Sequence, residues 1–468
     1  MPHLPRGAAP DPTATPSDAA PAPALPGVVP PTFAEALRFW LVLGFISFGG
    51  PAGQIALMHS ELVERRRWIS ERRYLHALNY CMVLPGPEAQ QLATYVGWLL
   101  HGTRGGIAAG ALFVLPSLLL LIGLSWLYMA YGHTPAVAGV LWAIKPAVTA
   151  IVVAAAWRIG RRVLKNAALW AIAAGAFVAI ALLGLPFPLI IVGAALVGAA
   201  GGHWAPQRFG AAPAHTAGVV GGAAAVIGDG MPPPPHARFT RRRLAAQLVV
   251  GAGLWLLPIA LLAWAFGPQG LYTTMGLYFT KAALLTFGGA YAVLPYVAQA
   301  AVTQYGWLSA LQMIDGLALG ETTPGPLIIV VAFVGFVGGW THAPWGAEHV
   351  LAAAAFAACV ATWFTFLPSF LFILIGGPLI EATHGALRLT APLTAITAAV
   401  VGVIANLALY FAQHVLWPQG WGGGFDTLSL AIGVVAALAL MRFQVSVVRV
   451  IAVCALLGLL RAAVASAA

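Results

Sequence analysis

Charged side chains are scarce in this sequence: Asp, Glu, Lys and Arg together make up 8% of its 468 residues, whereas hydrophobic residues make up 60%. Soluble globular proteins carry roughly 25% charged residues. A chain with so little charge cannot cover a surface that faces water, which excludes a soluble fold. The composition therefore predicts a polytopic membrane protein.

Sequence signals of several other protein classes are absent. The phosphate-binding pattern GxxxxGK(S/T) does not occur, so primary pumping by this chain alone is not expected. No basic stripe interleaved with aromatic residues indicates nucleic-acid binding. The histidines are dispersed and no pair of acids shares one aqueous loop, which disfavours an integral membrane enzyme acting on a lipid-linked substrate. A non-transporting assembly subunit is disfavoured as well, because it would leave the charges in apolar segments unexplained.

Cysteine is rare too, and Cys81, Cys359 and Cys454 lie far apart in apolar runs. A buried free cysteine behaves as a small hydrophobic residue. The spacing matches neither a disulfide framework nor a metal site. We predict no metal and no cofactor.

Long apolar runs, by contrast, fill most of the chain. A helix needs roughly 20 apolar residues to cross a bilayer, and about 13 hydrophobic segments of this length or shorter are present. An open sheet cannot satisfy its backbone in lipid, and the alternating pattern of a barrel is missing, so the predicted fold is all-α. The segments are 33–58, 74–100, 105–131, 135–157, 167–183, 186–201, 244–266, 271–298, 311–337, 350–380, 389–415, 428–441 and 445–466.

The polar stretches divide the chain into domains. Residues 1–32 are rich in Pro and Ala and lack the features of a signal peptide, so we expect a disordered tail. The only long polar connection carries several arginines and a run of prolines, and is interpreted as a linker. The predicted domains are a tail at 1–32, a first repeat at 33–201, a basic linker at 202–243, an extra helix at 244–270 and a second repeat at 271–466.

Two helix-breaking motifs occur twice, at a constant offset of 239 residues. The Phe-Gly-Gly motif is Phe48-Gly49-Gly50 in the first copy and Phe287-Gly288-Gly289 in the second. The Pro-Gly-Pro motif is Pro85-Gly86-Pro87 in the first copy and Pro324-Gly325-Pro326 in the second. The chain is therefore a duplication. Corresponding Gly and Pro interruptions in two halves of a membrane protein indicate a transport site.

Loop charges predict the orientation of the first copy. The loops at 59–73 and 158–166 are rich in Arg, which places both on the cytoplasmic side together with the basic linker. Three full crossings between these two loops would put them on opposite sides. One segment must therefore fail to cross, and we predict a re-entrant hairpin for 74–100, which the Pro-Gly-Pro motif interrupts.

The second copy has the reverse charge pattern. Its matching loops, 299–310 and 416–427, contain no Lys or Arg. The extra segment at 244–266 supplies the odd crossing that inverts this copy. The sequence thus predicts two inverted-topology halves with broken or re-entrant helices.

The Pro-Gly-Pro motifs predict helix N-termini inside the membrane. In the second copy Thr322 and Thr323 precede the motif, and the Thr323 hydroxyl is the expected cap of the following helix. A helix that begins there points the positive end of its dipole and unpaired N–H groups at an anion. In the first copy the motif leads into Glu88. A purely structural kink is the competing interpretation, and the repetition of both motifs weakens it.

The Phe-Gly-Gly motifs allow the backbone to break and to approach a ligand, although Gly pairs also serve helix packing in membranes. Pro51 and Gln54 follow the motif in the first copy only. The Gln54 amide can donate two hydrogen bonds to an oxyanion. These residues favour a binding role for the first copy.

Ionisable residues within apolar runs are costly and indicate function. Lys145 and Lys281 are candidates for neutralising an anion, with a structural pairing to Glu88 or Glu321 as the alternative. Glu88 and Glu321 are candidates for carrying a coupled proton. Arg38, Asp315 and Arg449 lie near segment ends, where snorkelling or interfacial pairing is expected. The predicted binding residues are Gly49, Gly50, Pro51, Gln54, Pro85, Gly86, Pro87, Lys145, Lys281, Gly288, Gly289, Thr322, Thr323, Pro324, Gly325 and Pro326.

In these motifs and their spacing the chain resembles the long-chain, two-domain type of the chromate ion transporter (CHR) family. The resemblance implies a multi-pass inner-membrane carrier that exports chromate from the cytoplasm and confers chromate resistance. Sulfate or another tetrahedral oxyanion is the alternative substrate. In the second copy Ala290 replaces the Pro, and no Gln follows, so the two halves are not expected to bind an anion equally. The expected partners are the anion and the lipid bilayer; the oligomeric state, a homodimer included, stays open.

Overall fold

The computed structural model describes residues 29–209, 225–229, 231, 234–382 and 390–467. Within these ranges the structure is helical, and its one β-interaction is an isolated bridge between Ile69 and Ile227. The predicted all-α fold is confirmed. Most of the predicted tail, residues 1–28, and the central part of the linker, residues 210–224, lie outside the described residues.

The first repeat contains seven long or medium helices and one short one. They are α1 (Phe33–Ile46), α2 (Gly50–His59), α3 (Glu71–Val83), α4 (Glu88–Tyr131), α5 (Pro135–Val163), α6 (Ala167–Ala181), α7 (Phe187–Trp204) and the short α8 (Pro206–Phe209). α2 continues into a π-helical turn at Ser60–Arg65. The linker leads into α9 (Arg241–Phe266), the extra helix predicted between the repeats.

The second repeat follows the same order. Its helices are α10 (Leu271–Leu284), α11 (Ala290–Gln299), α12 (Ala310–Thr322), α13 (Val330–His342), α14 (Val350–Ala382), α15 (Thr390–Leu416), α16 (Thr427–Met441) and α17 (Val447–Ala467). A 3₁₀ turn at Leu327–Ile329 runs directly into α13. Among the described residues, seven helices are long and apolar enough to cross a membrane: α4, α5, α7, α9, α14, α15 and α17.

Side-chain caps start α3 and α12. The Ser70 hydroxyl accepts the Arg73 N–H at 3.3 Å at the start of α3, and the Ser309 hydroxyl accepts the Gln312 N–H at 3.2 Å at the start of α12. The two serines occupy equivalent positions in the repeats. Each cap satisfies one backbone donor that the first helical turn leaves unpaired.

α4 is two helices joined by a reversal at His101 and Gly102, where Gly102 has φ +64°. Gly97 lies against Gly105 and Ala109, so the parts before and after the reversal pack antiparallel. The close approach of two backbones explains the glycines, because a side chain at Gly97 would collide with the facing helix.

The segment from α3 to the reversal in α4 enters and leaves on one face. Arg73, near the start of α3, donates to the Met231 carbonyl, and the Trp98 ring, near the reversal, lies 5.8 Å from the His236 ring. Arg73 and Tyr95, about one turn before Trp98, also contact the same carboxylate at the end of α14. The two ends of the segment are therefore too close for a crossing, and the predicted re-entrant hairpin is present.

α1 and α2 also form a re-entrant hairpin. The Phe33 ring at the start of α1 lies 5.6 Å from the His101 ring, and the Phe39 ring lies 5.0 Å from that of Trp68, which follows α2. The segment at 33–58 thus folds back as well. The loop charges did not show this, because they report only on loops at the membrane surface.

The second repeat repeats both hairpins. Trp307, just before α12, lies against Gly338 near the end of α13 and stacks on Phe279 of α10 at 5.7 Å. The α10–α11 and α12–α13 hairpins therefore also begin and end together.

Equivalent helices of the two repeats run antiparallel. Gly106 of α4 faces Leu374 of α14, and Gly110, one turn further on, faces Phe370, which comes one turn earlier. The repeats are therefore inverted. We name the side contacted by linker residues 225–229, 231 and 234–237 the linker face and the other side the opposite face. Hairpins of the first repeat enter from the linker face, hairpins of the second from the opposite face, and their tips meet in the middle.

Candidate functional site

The hairpin tips of the two repeats exchange backbone hydrogen bonds. The Gly86 N–H donates to the Thr286 carbonyl at 2.8 Å, and the Gly325 N–H donates to the Ser47 carbonyl at 2.8 Å. Ser47 and Thr286 directly precede the two Phe-Gly-Gly motifs. Each Pro-Gly-Pro motif is therefore bound to the Phe-Gly-Gly motif of the other repeat, and all four predicted breaks lie together.

Two separate constraints, backbone conformation and space, require glycine in the middle of each Pro-Gly-Pro motif. Gly86 has φ +125° and Gly325 has φ +96°, which L side chains rarely adopt. A Cβ at Gly86 would also collide with the Ser369 hydroxyl, and a Cβ at Gly325 with the Ser117 hydroxyl. These contacts fix the tips against α14 and α4.

Open space lies beside the Phe-Gly-Gly motifs. A Cβ at Gly50 would meet no atom within 4 Å among the residues described, and one at Gly289 would meet only the Glu88 Oε1 atom at 3.8 Å. A Cβ at Gly288 would lie 3.5 Å from the Thr397 side chain of α15. The tips therefore border a space next to a carboxylate rather than a packed core.

Four helix N-termini lie at the hairpin tips. α2 begins at Gly50, α4 at Glu88, α11 at Ala290 and the helix that contains α13 at Leu327. Within the described part of the chain, none of the four has a side-chain cap. Each leaves unpaired N–H groups and the positive end of its dipole at the tips. The sequence predicted two such ends, and the Phe-Gly-Gly breaks add two more.

Thr322 and Thr323 form hydrogen bonds at the C-terminal end of α12. The Thr322 hydroxyl donates to the Leu319 carbonyl at 2.9 Å, and the Thr323 hydroxyl to the Gly320 carbonyl at 3.0 Å. The prediction that Thr323 caps the following helix was wrong, because that helix begins only after Pro326. The positive φ of Gly325 delays the helix start beyond reach of the Thr323 hydroxyl.

Gln54 is buried between the tips. Its Nε2 atom donates to the Ser47 carbonyl at 3.2 Å and to the Gly325 carbonyl. Its Oε1 atom has no hydrogen-bond partner among the described residues. The amide thus joins the first Phe-Gly-Gly motif to the second Pro-Gly-Pro motif, and both of its N–H groups are occupied in this structure.

Both candidate proton carriers lie at the second Phe-Gly-Gly motif. Glu88 approaches Gly289, as described above, and the Tyr291 hydroxyl donates to the Glu321 Oε1 atom at 2.6 Å. Both carboxylates are partly exposed. The equivalent positions hold Leu327 and Met82, so the two acids serve one asymmetric site.

Two exposed arginines at the end of α5 were missed as site residues. Arg162 acts electrostatically on Glu88, and Arg158, one turn earlier, acts on Glu321 and Tyr291. The sequence placed both in a loop at 158–166, but α5 continues to Val163. Their spacing of four residues, typical of one helix face, was the available signal.

The two lysines have different surroundings. The Lys145 Nζ atom forms an ion pair with the Asp315 Oδ1 atom at 3.0 Å, and neither Glu88 nor Glu321 is its partner. Asp315 was expected to snorkel or to pair near an interface; it is paired with Lys145, and its side chain is buried. Lys281 lies near the end of α10 with an exposed side chain, and no ion pair to it occurs among the described residues.

Comparison with known proteins identifies the family. The chromate transporter family model matches residues 34–199 and 273–459, which cover both repeats and leave out the linker and α9. This chain belongs to the chromate transporter family. Within the described residues no cluster of three or more His, Cys, Asp or Glu side chains could hold a metal ion.

Curated relatives align over most of the chain. A chromate transport protein from Pseudomonas aeruginosa is 34% identical over 388 residues, which cover 82% of this chain and 81% of the relative. One from Cupriavidus metallidurans is 26% identical over 430 residues, which cover 92% and 93%. An uncharacterized transporter from Methanocaldococcus jannaschii is 24% identical over 382 residues, which cover 81% and 84%. No solved structure matches the chain significantly.

Proposed function

We propose that this protein is a secondary transporter that exports chromate from the cytoplasm across the inner membrane and so confers chromate resistance. The observation that supports this most is the set of four uncapped helix N-termini at the hairpin tips, where the backbone at Gly50 and at Gly289 has open space beside it. The names of the relatives supply the identity of the anion.

The chemistry of the tips suits a tetrahedral dianion. Chromate needs several N–H donors and positive charge in place of water. The helix ends supply donors with fixed directions, and their dipoles favour negative charge. Because the donors belong to both repeats and to opposite hairpins, they surround the anion rather than line one side of it.

Arg158 and Arg162 supply positive charge on the linker side of the tips. The turn that follows α5 lies on the linker face, since the Asn166 side chain donates to the Arg208 carbonyl at 2.8 Å next to the linker. The arginines of the linker assign this face to the cytoplasm. In our proposal the two arginines draw the anion from the cytoplasm towards the tips. Its export is favoured by a negative-inside potential, at about 2.3 kcal/mol per charge per 100 mV.

We further propose that proton entry adds to this driving force. Glu88 and Glu321 lie beside the proposed anion site and are partly exposed. A carboxylate that takes up a proton while the anion leaves would couple the two fluxes. The hydrogen bond from Tyr291 holds Glu321 in place for this role.

Flux measurements on purified protein in liposomes test the transport proposal. Chromate and sulfate are supplied separately to the linker face, and we expect chromate to move with the protein and not without it. Arg162→Gln should reduce the flux at low substrate concentration, whereas Arg161→Gln, the neighbouring exposed arginine, should not. Movement of sulfate in preference to chromate would support the alternative substrate, and movement of neither anion would overturn the proposal.

A further inference from the structure

We infer that two buried ion pairs gate the two sides of the transport site: Arg73 with Glu381 towards the linker face, and Lys145 with Asp315 towards the opposite face. We name them the linker-face latch and the opposite-face latch. The inference rests on the proposed function in assuming that the hairpin tips bind a transported solute, but it does not depend on which solute.

The linker-face latch joins α3 and α4 of the first repeat to α14 of the second repeat. The Arg73 Nη1 atom of α3 lies 3.6 Å from the Glu381 Oε2 atom at the end of α14. The Tyr95 hydroxyl of α4 donates to the other carboxylate oxygen of Glu381 at 2.6 Å. The Arg73 and Glu381 side chains are 15% and 9% exposed, so water barely reaches the pair.

The opposite-face latch has the same form. The Lys145 Nζ atom of α5 lies 3.0 Å from the Asp315 Oδ1 atom of α12, and the Tyr128 hydroxyl near the end of α4 donates to the other oxygen of Asp315 at 3.0 Å. The side chains of Lys145 and Asp315 are 18% and 4% exposed. Each latch is thus a carboxylate held by one cation and one tyrosine.

The two latches are related by the inverted repeat, although their residues are not. α3 and α12 are equivalent helices, and so are α14 and the long part of α4. In the linker-face latch the ion pair attaches α3 to the far end of α14. In the opposite-face latch the Tyr128 hydrogen bond attaches α12 to the far end of α4, while the ion pair attaches α12 to α5. The position equivalent to Asp315 holds His76, so the same arrangement has arisen from different residues.

The positions of the two ion pairs suit gates that open better than permanent structural links. α3 and α12 end at the Pro-Gly-Pro breaks, where the backbone has no helical hydrogen bonds to resist bending. A buried ion pair stabilises a fold little more than apolar residues of similar volume would, and its best-attested use is to specify one arrangement. Release of one latch would free one hairpin on one face while the other face stays closed. Both latches are formed in this structure.

The linker forms additional hydrogen bonds with the helix that carries the linker-face latch. Arg73 donates through its Nη2 atom to the Met231 carbonyl while its Nη1 atom faces Glu381. The Ser70 hydroxyl donates to the Asp229 carboxylate one turn earlier. No linker segment contacts Lys145, Asp315 or Tyr128 among the described residues. The two gates therefore differ in strength.

Side-specific labelling of one reporter tests the gates. Cys81, Cys359 and Cys454 are replaced by Ala, and Thr322→Cys, partly exposed beside the tips, becomes the target of a membrane-impermeant maleimide applied to one face of sealed vesicles. Arg73→Gln should raise the labelling rate from the linker face by roughly tenfold, and Lys145→Gln from the opposite face by a similar factor. Arg72→Gln, the exposed neighbour of Arg73, should change neither rate.

The charge-swapped pairs separate gating from simple support of the fold. Arg73→Glu combined with Glu381→Arg, and Lys145→Asp combined with Asp315→Lys, should return labelling towards the parent rate on the affected face. They also keep the test decisive if a single variant does not fold. Equal increases from both faces, or unchanged rates in folded single variants, would overturn the gates. Labelling needs no chromate flux, so failure of the proposed substrate is distinguishable from failure of the gates.

Discussion

The Gly325 N–H donates to the Ser47 carbonyl at 2.8 Å, which joins the second Pro-Gly-Pro motif to the first Phe-Gly-Gly motif. The bond between Gly86 and Thr286 repeats this relationship with the repeats exchanged. The site is therefore shared between inverted halves. Neither repeat can form it alone, because each supplies only half of the paired backbone groups.

Gly325→Ala should destabilise the protein. The left-handed backbone costs a non-glycine residue about 1–2 kcal/mol, and the added methyl group would collide with the Ser117 hydroxyl. Thermal unfolding in detergent measures the loss. Gly123→Ala in α4 is the matched control, because its Cβ would meet nothing within 4 Å among the described residues. A gain of up to about 1 kcal/mol is expected there, and equal effects at both positions would contradict the assignment of strain to Gly325.

Arg162→Gln should raise the KM for chromate by roughly two- to fivefold, the effect of one charge at an exposed site. The maximal rate should change less, since the helix ends that surround the anion stay in place. The difference between the variant and the parent should shrink at high ionic strength, because salt screens exposed charges. Flux measured over a range of chromate concentrations in low and high salt gives both values. A salt-independent effect would argue against an electrostatic role.

Glu321→Gln should make chromate flux insensitive to a pH gradient. The substitution removes the titratable group, while the Tyr291 hydroxyl can still donate to the amide oxygen, so the local structure is retained. Flux into liposomes with and without an imposed gradient is the measurement. Glu88→Gln tests the second candidate in the same way, and Glu348→Gln, at an exposed carboxylate, is the control. Persistence of the gradient effect in both site variants would exclude these two acids as proton carriers.

Ile227→Asp should release the linker from the first repeat. Ile227 is 6% exposed and accepts a hydrogen bond from the Ser70 N–H at 3.0 Å. A buried carboxylate there would lack a partner, which strongly favours undocking. Limited proteolysis should then cut the linker faster. Met231→Asp changes an exposed side chain and should leave the rate of cleavage unaltered.

Much of the fold follows from local chemistry in the sequence. Apolar runs require helices in lipid, and glycine or proline inside such a run breaks a helix wherever the chain places it. The positions of the Phe-Gly-Gly and Pro-Gly-Pro breaks can therefore be predicted from the sequence alone. So can the inversion, because loop charges respond to the membrane surface and not to the interior.

The predictions that failed depend on backbone geometry at the breaks and on pairing between distant segments. Thr323 has the residue type of a helix cap, but the backbone of Gly325 shifts the helix start away from it. Lys145 was a candidate for neutralising an anion, with a pairing to Glu88 or Glu321 as the alternative, whereas the packing of α5 against α12 brings it to Asp315. Arg158 and Arg162 carry the same charge in a loop or on a helix, and only the length of α5 places both of them on one helix.

The sequence by itself determined that this protein is a duplicated, inverted membrane fold with four breaks in its helices, because these features depend on composition, spacing and charge. Only the tertiary structure decided which breaks meet, which helix ends remain uncapped and which charges are paired. Those outcomes depend on contacts between residues that are far apart in the chain, and the geometry of the packed hairpins selects among partners that the sequence leaves equivalent.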